Sequence, residues 1–493
     1  MSRAALLACM LAVAVAVPAA AQPVPAHPDA LRFQPLAYSP PSPAEHRVAL
    51  PSGMVAFVAE DRTLPLVSLT IMTRTGTYLE PAGKEGLAAL TGQQIRRGGT
   101  KSLTAEELDE RLAFLATEVS SGIGATSGVT SMSCLAENLD ESLRLLAEML
   151  REPRFQQDRL ELAKEQELQD MSTRNDDASD IEAREWNMLV YGESHFTNRF
   201  STEASVRSIT AADLAAFHRR SFHPSRMVVA VSGAFSRDEM VRKLEAAFSS
   251  WPFPAPEPSR VPGEISPAAP GLYRIQKDVN QGRVSIGLPS VRRDSPDAYA
   301  LEVMNEVLGG SGFSSRITQK VRSNEGLAYA AYSSLGLGPY YPGKFRAAFQ
   351  SKSRTVPRAA KMVLDEIRGI RDAPVTPEEL DMVKRSLVET FPSNFASKAQ
   401  AMATFAADEL TGREPGYWAT YRDRIQAVTA GDVERVARAY LDPARMTVLV
   451  VGDQKEIALG EDAEANLAAL AGGRVTDLPL RDPMTMKRPP TSP

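Results

Sequence analysis

Ser208-Ile-Thr-Ala-Ala-Asp-Leu214, followed by Phe222-His-Pro-Ser-Arg-Met-Val-Val-Ala-Val-Ser-Gly233, returns later in the chain. There it reads Ala427-Val-Thr-Ala-Gly-Asp-Val433 and Leu441-Asp-Pro-Ala-Arg-Met-Thr-Val-Leu-Val-Val-Gly452. The paired Asp, Pro, Arg, Met and Gly positions all lie 219 residues apart. A constant offset held over so many positions is the mark of two homologous domains in tandem. Each copy reads as a helix opened by a threonine (Thr210, Thr429) with Asp at the fourth position of a capping box. A proline-bearing turn and a buried strand ending in glycine follow.

Working outward, residues 252–270 contain seven prolines in 19 positions, which excludes a helix or inner strand and predicts a stiff, extended linker. The expected organisation is then an N-terminal segment at 22–45, a first domain at 46–251, the linker, a second domain at 271–475 and a loose tail at 476–493. Leu66-Val-Ser-Leu-Thr-Ile-Met-Thr73 and Gly282-Arg-Val-Ser-Ile-Gly-Leu288 read as opening strands, and Thr104 and Thr376 as helix caps, with Pro377 at the first helical position. Together these predict an α+β fold: two tandem homologous domains, each a mainly antiparallel sheet with helices packed on one face.

Residues 1–21 carry an early arginine (Arg3), an apolar run from Ala4 to Val17 and small residues up to Ala21. This is the pattern of a cleaved signal peptide and implies export, to a periplasm in a bacterium. A lipoprotein signal ending at Cys9 is the competing reading, disfavoured because the apolar run continues past it. No later stretch predicts a membrane span. Cleavage leaves Cys134 as the one cysteine, so no intramolecular disulfide forms, and its strand-like surroundings predict a buried, inert thiol. With 56 Lys+Arg against 61 Asp+Glu among 493 residues, the chain lacks the basic excess of a nucleic-acid binder. Its five histidines are sparse and scattered, and no Gly-x-Ser-x-Gly marks a serine hydrolase.

Glu80-Pro-Ala-Gly-Lys-Glu-Gly-Leu-Ala88 leads to Gly99-Thr100. In the second half, Leu308-Gly-Gly-Ser-Gly-Phe-Ser-Ser-Arg316 leads to Arg322-Ser-Asn-Glu-Gly-Leu-Ala-Tyr329. Together these segments resemble the pitrilysin/insulinase family of zinc peptidases, processing peptidases included. The likeness covers roughly residues 48–453. Catalytic members carry His-x-x-Glu-His on the first helix: two histidines on one helical face ligate zinc, and the Glu is general base to the metal-bound water. Here those three positions fall on Ala89, Gly92 and Gln93, and the downstream acidic ligand position falls on Asp170, with 76 residues between it and Gln93. The resemblance therefore implies a degenerate motif, with Gln93 and Asp170 left as a polar pair and no metal held by this chain. By contrast, the family's Arg/Tyr pair is matched by Arg322 and Tyr329. The resemblance implies that Arg322 holds substrate backbone and that the Tyr329 hydroxyl stabilises the developing oxyanion. Gly309, Gly310 and Gly312 are expected to form a tight turn ahead of a helix at 314–323. They are also candidates for substrate contact.

Active members of this family enclose peptide between two such halves. The resemblance thus implies a non-catalytic subunit of a heterodimeric zinc metalloendopeptidase, inactive alone, with zinc in a homologous partner subunit. A peptide-binding or scaffold protein without peptidase activity is the alternative, and an independent enzyme with a rebuilt site is a third reading.

Overall fold

The computed structural model describes His27, Leu31 and residues 37–257, 259–460 and 465–489. The expected signal peptide lies outside the described residues. The described residues from 40 to 489 form one compact unit built on two six-stranded sheets. In the first half, β1 (Arg47–Ala49), β2 (Val55–Glu60), β3 (Leu66–Thr73), β4 (Glu118–Ile123), β5 (Gly128–Leu135) and β6 (Met227–Gly233) take the order β1-β2-β6-β3-β5-β4. In the second, β7 (Gly271–Gln276), β8 (Gln281–Pro289), β9 (Ala328–Leu335), β10 (Lys344–Lys352), β11 (Thr447–Gly452) and β12 (Val475–Asp477) take the order β12-β7-β11-β8-β10-β9. The strand that closes each copy of the sequence repeat, β6 or β11, sits near the middle of its sheet. It pairs antiparallel with one neighbour (β3 or β8) and parallel with the other (β2 or β7). The remaining pairings are antiparallel, except that β12 joins β7 in parallel.

All seven residues of β6 are buried, so both faces of the sheet are covered there. One face is packed by helices of the same half. Val229 and Val231 of β6 join Leu69, Ile71, Leu87, Ile95, Leu146 and Leu214 in the larger core. The alternate residues Val228 and Ala230, with Phe57 and Ala59 of β2, meet Met402, Phe405 and Ala406 from the Lys398–Thr411 helix of the second half. The exchange is reciprocal: Trp186 and Val190 of the Ala178–Tyr191 helix, from the first half, pack on Ile275, Leu449 and Val451 of the second sheet. Glu182 of that helix is 1 % exposed and ties the two halves together. It accepts hydrogen bonds from Arg283 at 2.7 Å, Arg346 at 2.8 Å and Ser285 at 2.5 Å. A carboxylate so placed is tolerated in the interior because two guanidinium groups and a hydroxyl replace its water.

The capping boxes expected at Thr210 and Thr429 form, and the helix caps expected at Thr104 and Thr376 are capping boxes as well. Two expectations need correction. The polar, proline-rich composition of residues 476–493 predicts a loose tail, yet 475–489 are fastened. Val475–Asp477 extends the second sheet, Arg481 binds Glu185 at 3.1 Å and also pairs with Glu193, and Arg488 binds Glu185 at 2.5 Å. Glu185 is fully buried, and these arginines neutralise it together with Arg184 at 3.7 Å. The helix expected at 314–323 instead begins as a 3-10 turn at Gly312–Ser314 and continues wide-wound, as a π-helix, over Thr318–Asn324.

Candidate functional site

The degenerate motif lies on the Leu87–Arg97 helix. The carboxylate of Glu80 fastens the helix start, accepting the backbone N–H groups of Gly86 at 3.1 Å and Ala88 at 2.8 Å. Lys84, just ahead of the helix, binds Asp213 of the capping box at 2.9 Å, which holds the motif loop against the repeated segment. Burial raises the Glu80 carboxyl to about 7, against the lowering effect of the two N–H donors and Arg199. Its second oxygen has no hydrogen-bond partner.

Along this helix Ala89 is exposed, Gly92 buried and Gln93 half-buried. Gly92 faces the edge strand β4 so closely that an added Cβ would lie 2.5 Å from the Ile123 nitrogen and 2.8 Å from the Gly122 carbonyl carbon. The position of the family's general base is thus closed by main chain, and any side chain there would require the helix to move. Asp170 stands exposed near the end of the Gln157–Ser172 helix, and no direct side-chain hydrogen bond joins it to Gln93. An alanine methyl, a glycine and a carboxamide cannot supply the imidazoles and base that zinc needs, so these residues do not fit the family's metal. Among the described residues no group of three or more His, Cys, Asp or Glu is placed to hold a metal ion.

His218, His195 and His223 are held in structural contacts. His218 is held against the Leu150 carbonyl at 2.8 Å, and burial pushes it down to about 4. His195 is buried among Tyr191, Phe196 and Tyr341. His223 caps the Pro224–Arg226 turn. Cys134 is a free, buried thiol whose pKa is raised by desolvation, unlike that of an activated nucleophile.

Arg322 and Tyr329 come together at the far edge of the second sheet. Tyr329 is on the edge strand β9 and is 87 % exposed. The Arg322 guanidinium lies 4.9 Å from its ring centroid and 4.4 Å from that of Phe313, which is itself 67 % exposed. A cation between two aromatic faces is held without a carboxylate, which leaves its N–H groups available to a ligand. The segment is anchored beneath: Arg316 forms a two-pronged bridge to Glu379 at 2.7 Å, and Thr318 Oγ1 donates to the Ala331 carbonyl of β9 at 2.7 Å. Sequence reasoning missed Phe313 and its place against Arg322; an aromatic directly after the glycine-rich run was the available signal. Of the three glycines, Gly309 is buried against Ser333 of β9, where a Cβ would meet that residue's main chain. Gly309 and Gly310 end the Glu306–Gly310 turn of π-helix, and Gly312, exposed, adopts φ +60° with open space around it.

Residues 208–387 match the family profile described as the peptidase M16 inactive domain. The uncharacterized zinc protease Mb2805c of Mycobacterium bovis is 26 % identical over 81 % of this chain and 91 % of its own length. The non-peptidase homolog YmxG of Helicobacter pylori is 25 % identical over 80 % and 91 %. The crystal structure of a peptidase M16 inactive domain from Pseudomonas fluorescens superposes with a TM-score of 0.74 at 23 % identity, covering 82 % of this chain and 97 % of that one. The periplasmic protease PqqL of Escherichia coli matches with a TM-score of 0.71 at 16 % identity over 92 % of this chain but only 51 % of its own. Residues 208–387 thus match the peptidase M16 inactive domain, and the chain as a whole is similar to relatives named as zinc proteases and as a non-peptidase homolog and shares the fold of the Pseudomonas fluorescens inactive-domain structure.

Proposed function

We propose that this chain is the non-catalytic half of a heterodimeric periplasmic zinc peptidase. It closes the peptide chamber of a homologous, zinc-bearing subunit and lends Arg322 and Tyr329 to that subunit's site. The observation that carries this reading is the contrast between the two family positions. The base position is filled by main chain at Gly92, whereas Tyr329 stands almost fully exposed on an edge strand with Arg322 cradled beside it. In the complex, Arg322 would hold the peptide main chain and Tyr329 Oη would donate a hydrogen bond to the carbonyl oxygen as negative charge develops there. The match to half of PqqL is consistent with a chain that needs a second half to enclose a substrate. The signal-peptide-like sequence pattern at 1–21 supports the periplasmic address, and among the described residues no helix is long and apolar enough to cross a membrane.

The test is reconstitution. The mature chain alone should bind no stoichiometric zinc and cleave no peptide, and should gain peptidase activity when co-purified with a homologue carrying His-x-x-Glu-His. A second reading, a peptide-binding or scaffold protein without peptidase activity, is favoured by the likeness to the Helicobacter pylori non-peptidase homolog. It would prevail if peptide binds a stable assembly of this chain and no zinc-bearing homologue adds hydrolysis.

A further inference from the structure

A cavity of about 700 Å³ opens where the two halves and the linker meet, lined among others by Arg74, Tyr78, Ser259, Arg260, Arg292 and Tyr340. Three arginines face it and Glu264 is the one carboxylate in its wall. Arg74 follows β3 and directs its guanidinium to the carbonyls of Glu409 at 2.9 Å and Leu410 at 3.2 Å, near the end of the Lys398–Thr411 helix. Arg226 stands behind the linker, 7 % exposed, and donates to the Glu257 carbonyl and to Ser259 Oγ, both at 3.0 Å. Arg260 is exposed at the rim. Among the described residues, none of Arg74, Arg226 and Arg260 makes an ion pair. Arg292 pairs only with the exposed Asp294 two residues along.

Buried or half-buried cations are ordinarily matched by carboxylates, because a guanidinium stripped of water is costly to leave uncompensated. Here carbonyls and a hydroxyl satisfy the hydrogen bonds of Arg74 and Arg226; the Glu409 carboxylate acts on Arg74 only through space, and Arg226 and Arg260 have no carboxylate partner among the described residues. A concave wall with an excess of one sign concentrates field in the cleft. Tyr78 and Ser259, whose hydroxyls lie 3.2 Å apart, and Tyr340 add neutral hydroxyl groups to the lining. We propose that this cleft is an anion-binding site for a carboxylate- or phosphate-bearing ligand, gripped by Arg74, Arg260 and Arg292. Guanidinium forks match the planar oxygen pairs of both groups. The volume admits several residues of an acidic peptide as well as a free ion. The site does not depend on the presence of a zinc-bearing partner.

The mature chain would be titrated calorimetrically with inorganic phosphate and with triglutamate, at ionic strength held constant with sodium chloride. At least one should bind saturably. Arg260→Ala combined with Arg292→Ala should weaken that binding about tenfold or more. Both residues are exposed, so the ligand-free melting temperature should not change. Tighter binding of triglutamate would identify an acidic peptide as the ligand, and binding of phosphate alone a free ion; either supports the site. Heats no larger than the chloride control for both probes, or unchanged affinity in the double variant, would overturn it.

Discussion

Gly92→Ala isolates the claim that the motif helix is closed by packing as well as by the loss of its ligands. The new methyl carbon would lie 2.5 Å from the Ile123 nitrogen and 2.8–2.9 Å from two carbon atoms of Gly122, all of them main chain. Ordinary contact begins near 3.4 Å, so the helix or β4 must give by close to an ångström. A flexible side chain could swing away, but a strand paired along its length to β5 moves only with its sheet. Overpacking of this kind costs about 1–3 kcal/mol, and the rigid obstacle puts this site toward the upper end. Replacing glycine by alanine within a helix returns about 1 kcal/mol, so the net loss is about 2 kcal/mol and a melting temperature lower by a few degrees. Gly122→Ala is the internal control: its Cβ meets nothing within 4 Å, and the change should stay within about 0.5 kcal/mol. Calorimetry of both variants reads the difference. Equal melting temperatures for Gly92→Ala and wild type would refute the packing argument. So would a triple variant (Ala89→His, Gly92→Glu, Gln93→His) that folds like wild type and takes up one zinc per chain.

Glu80 gives a pH signature. Its folded pKa of about 7 lies above the usual 4.5, so its contribution favours the folded state most below pH 4.5 and is lost as pH rises through 7. The span is on the order of 3 kcal/mol. Glu80→Gln, which keeps an oxygen for the Gly86 and Ala88 N–H groups, should flatten the stability profile between pH 5 and 8; an unchanged slope would contradict the assignment. Arg481→Ala leaves the buried Glu185 with fewer partners and should cost roughly 3 kcal/mol, while exposing residues 475–489 to limited proteolysis. Phe313→Ala removes one of the two rings that hold Arg322. It should lower turnover of the reconstituted complex without moving the melting temperature, since the ring is largely exposed.

The repeat was legible because both copies need the same local chemistry: a threonine-capped helix, a turn at Pro224 or Pro443, and the buried strands β6 and β11. Each step leaves a residue-level trace. The swapped helices left none. The apolar faces of Ala178–Tyr191 and Lys398–Thr411 announce burial, but nothing in a stripe of Trp186 and Val190, or of Met402 and Phe405, says which sheet will receive it. The π-helical path of Thr318–Asn324 was equally hidden, because a wider winding changes hydrogen bonding without changing composition. In the tail, Pro and polar residues signalled looseness, and the deciding partners of Arg481 and Arg488 lie about three hundred positions away at Glu185. The emptied zinc motif could be seen in the sequence as missing ligands. That Gly92 is also walled in by β4, and that Phe313 completes a cradle for Arg322, required coordinates.

The central claim is that Tyr329 acts on a substrate held by another subunit. The most direct measurement is kcat/KM of the reconstituted complex with Tyr329→Phe, which deletes one hydroxyl from a side chain exposed to solvent. A fall of about 10²–10³ with intact assembly and an unchanged melting temperature is the predicted result. Turnover equal to that of the wild-type complex would contradict it.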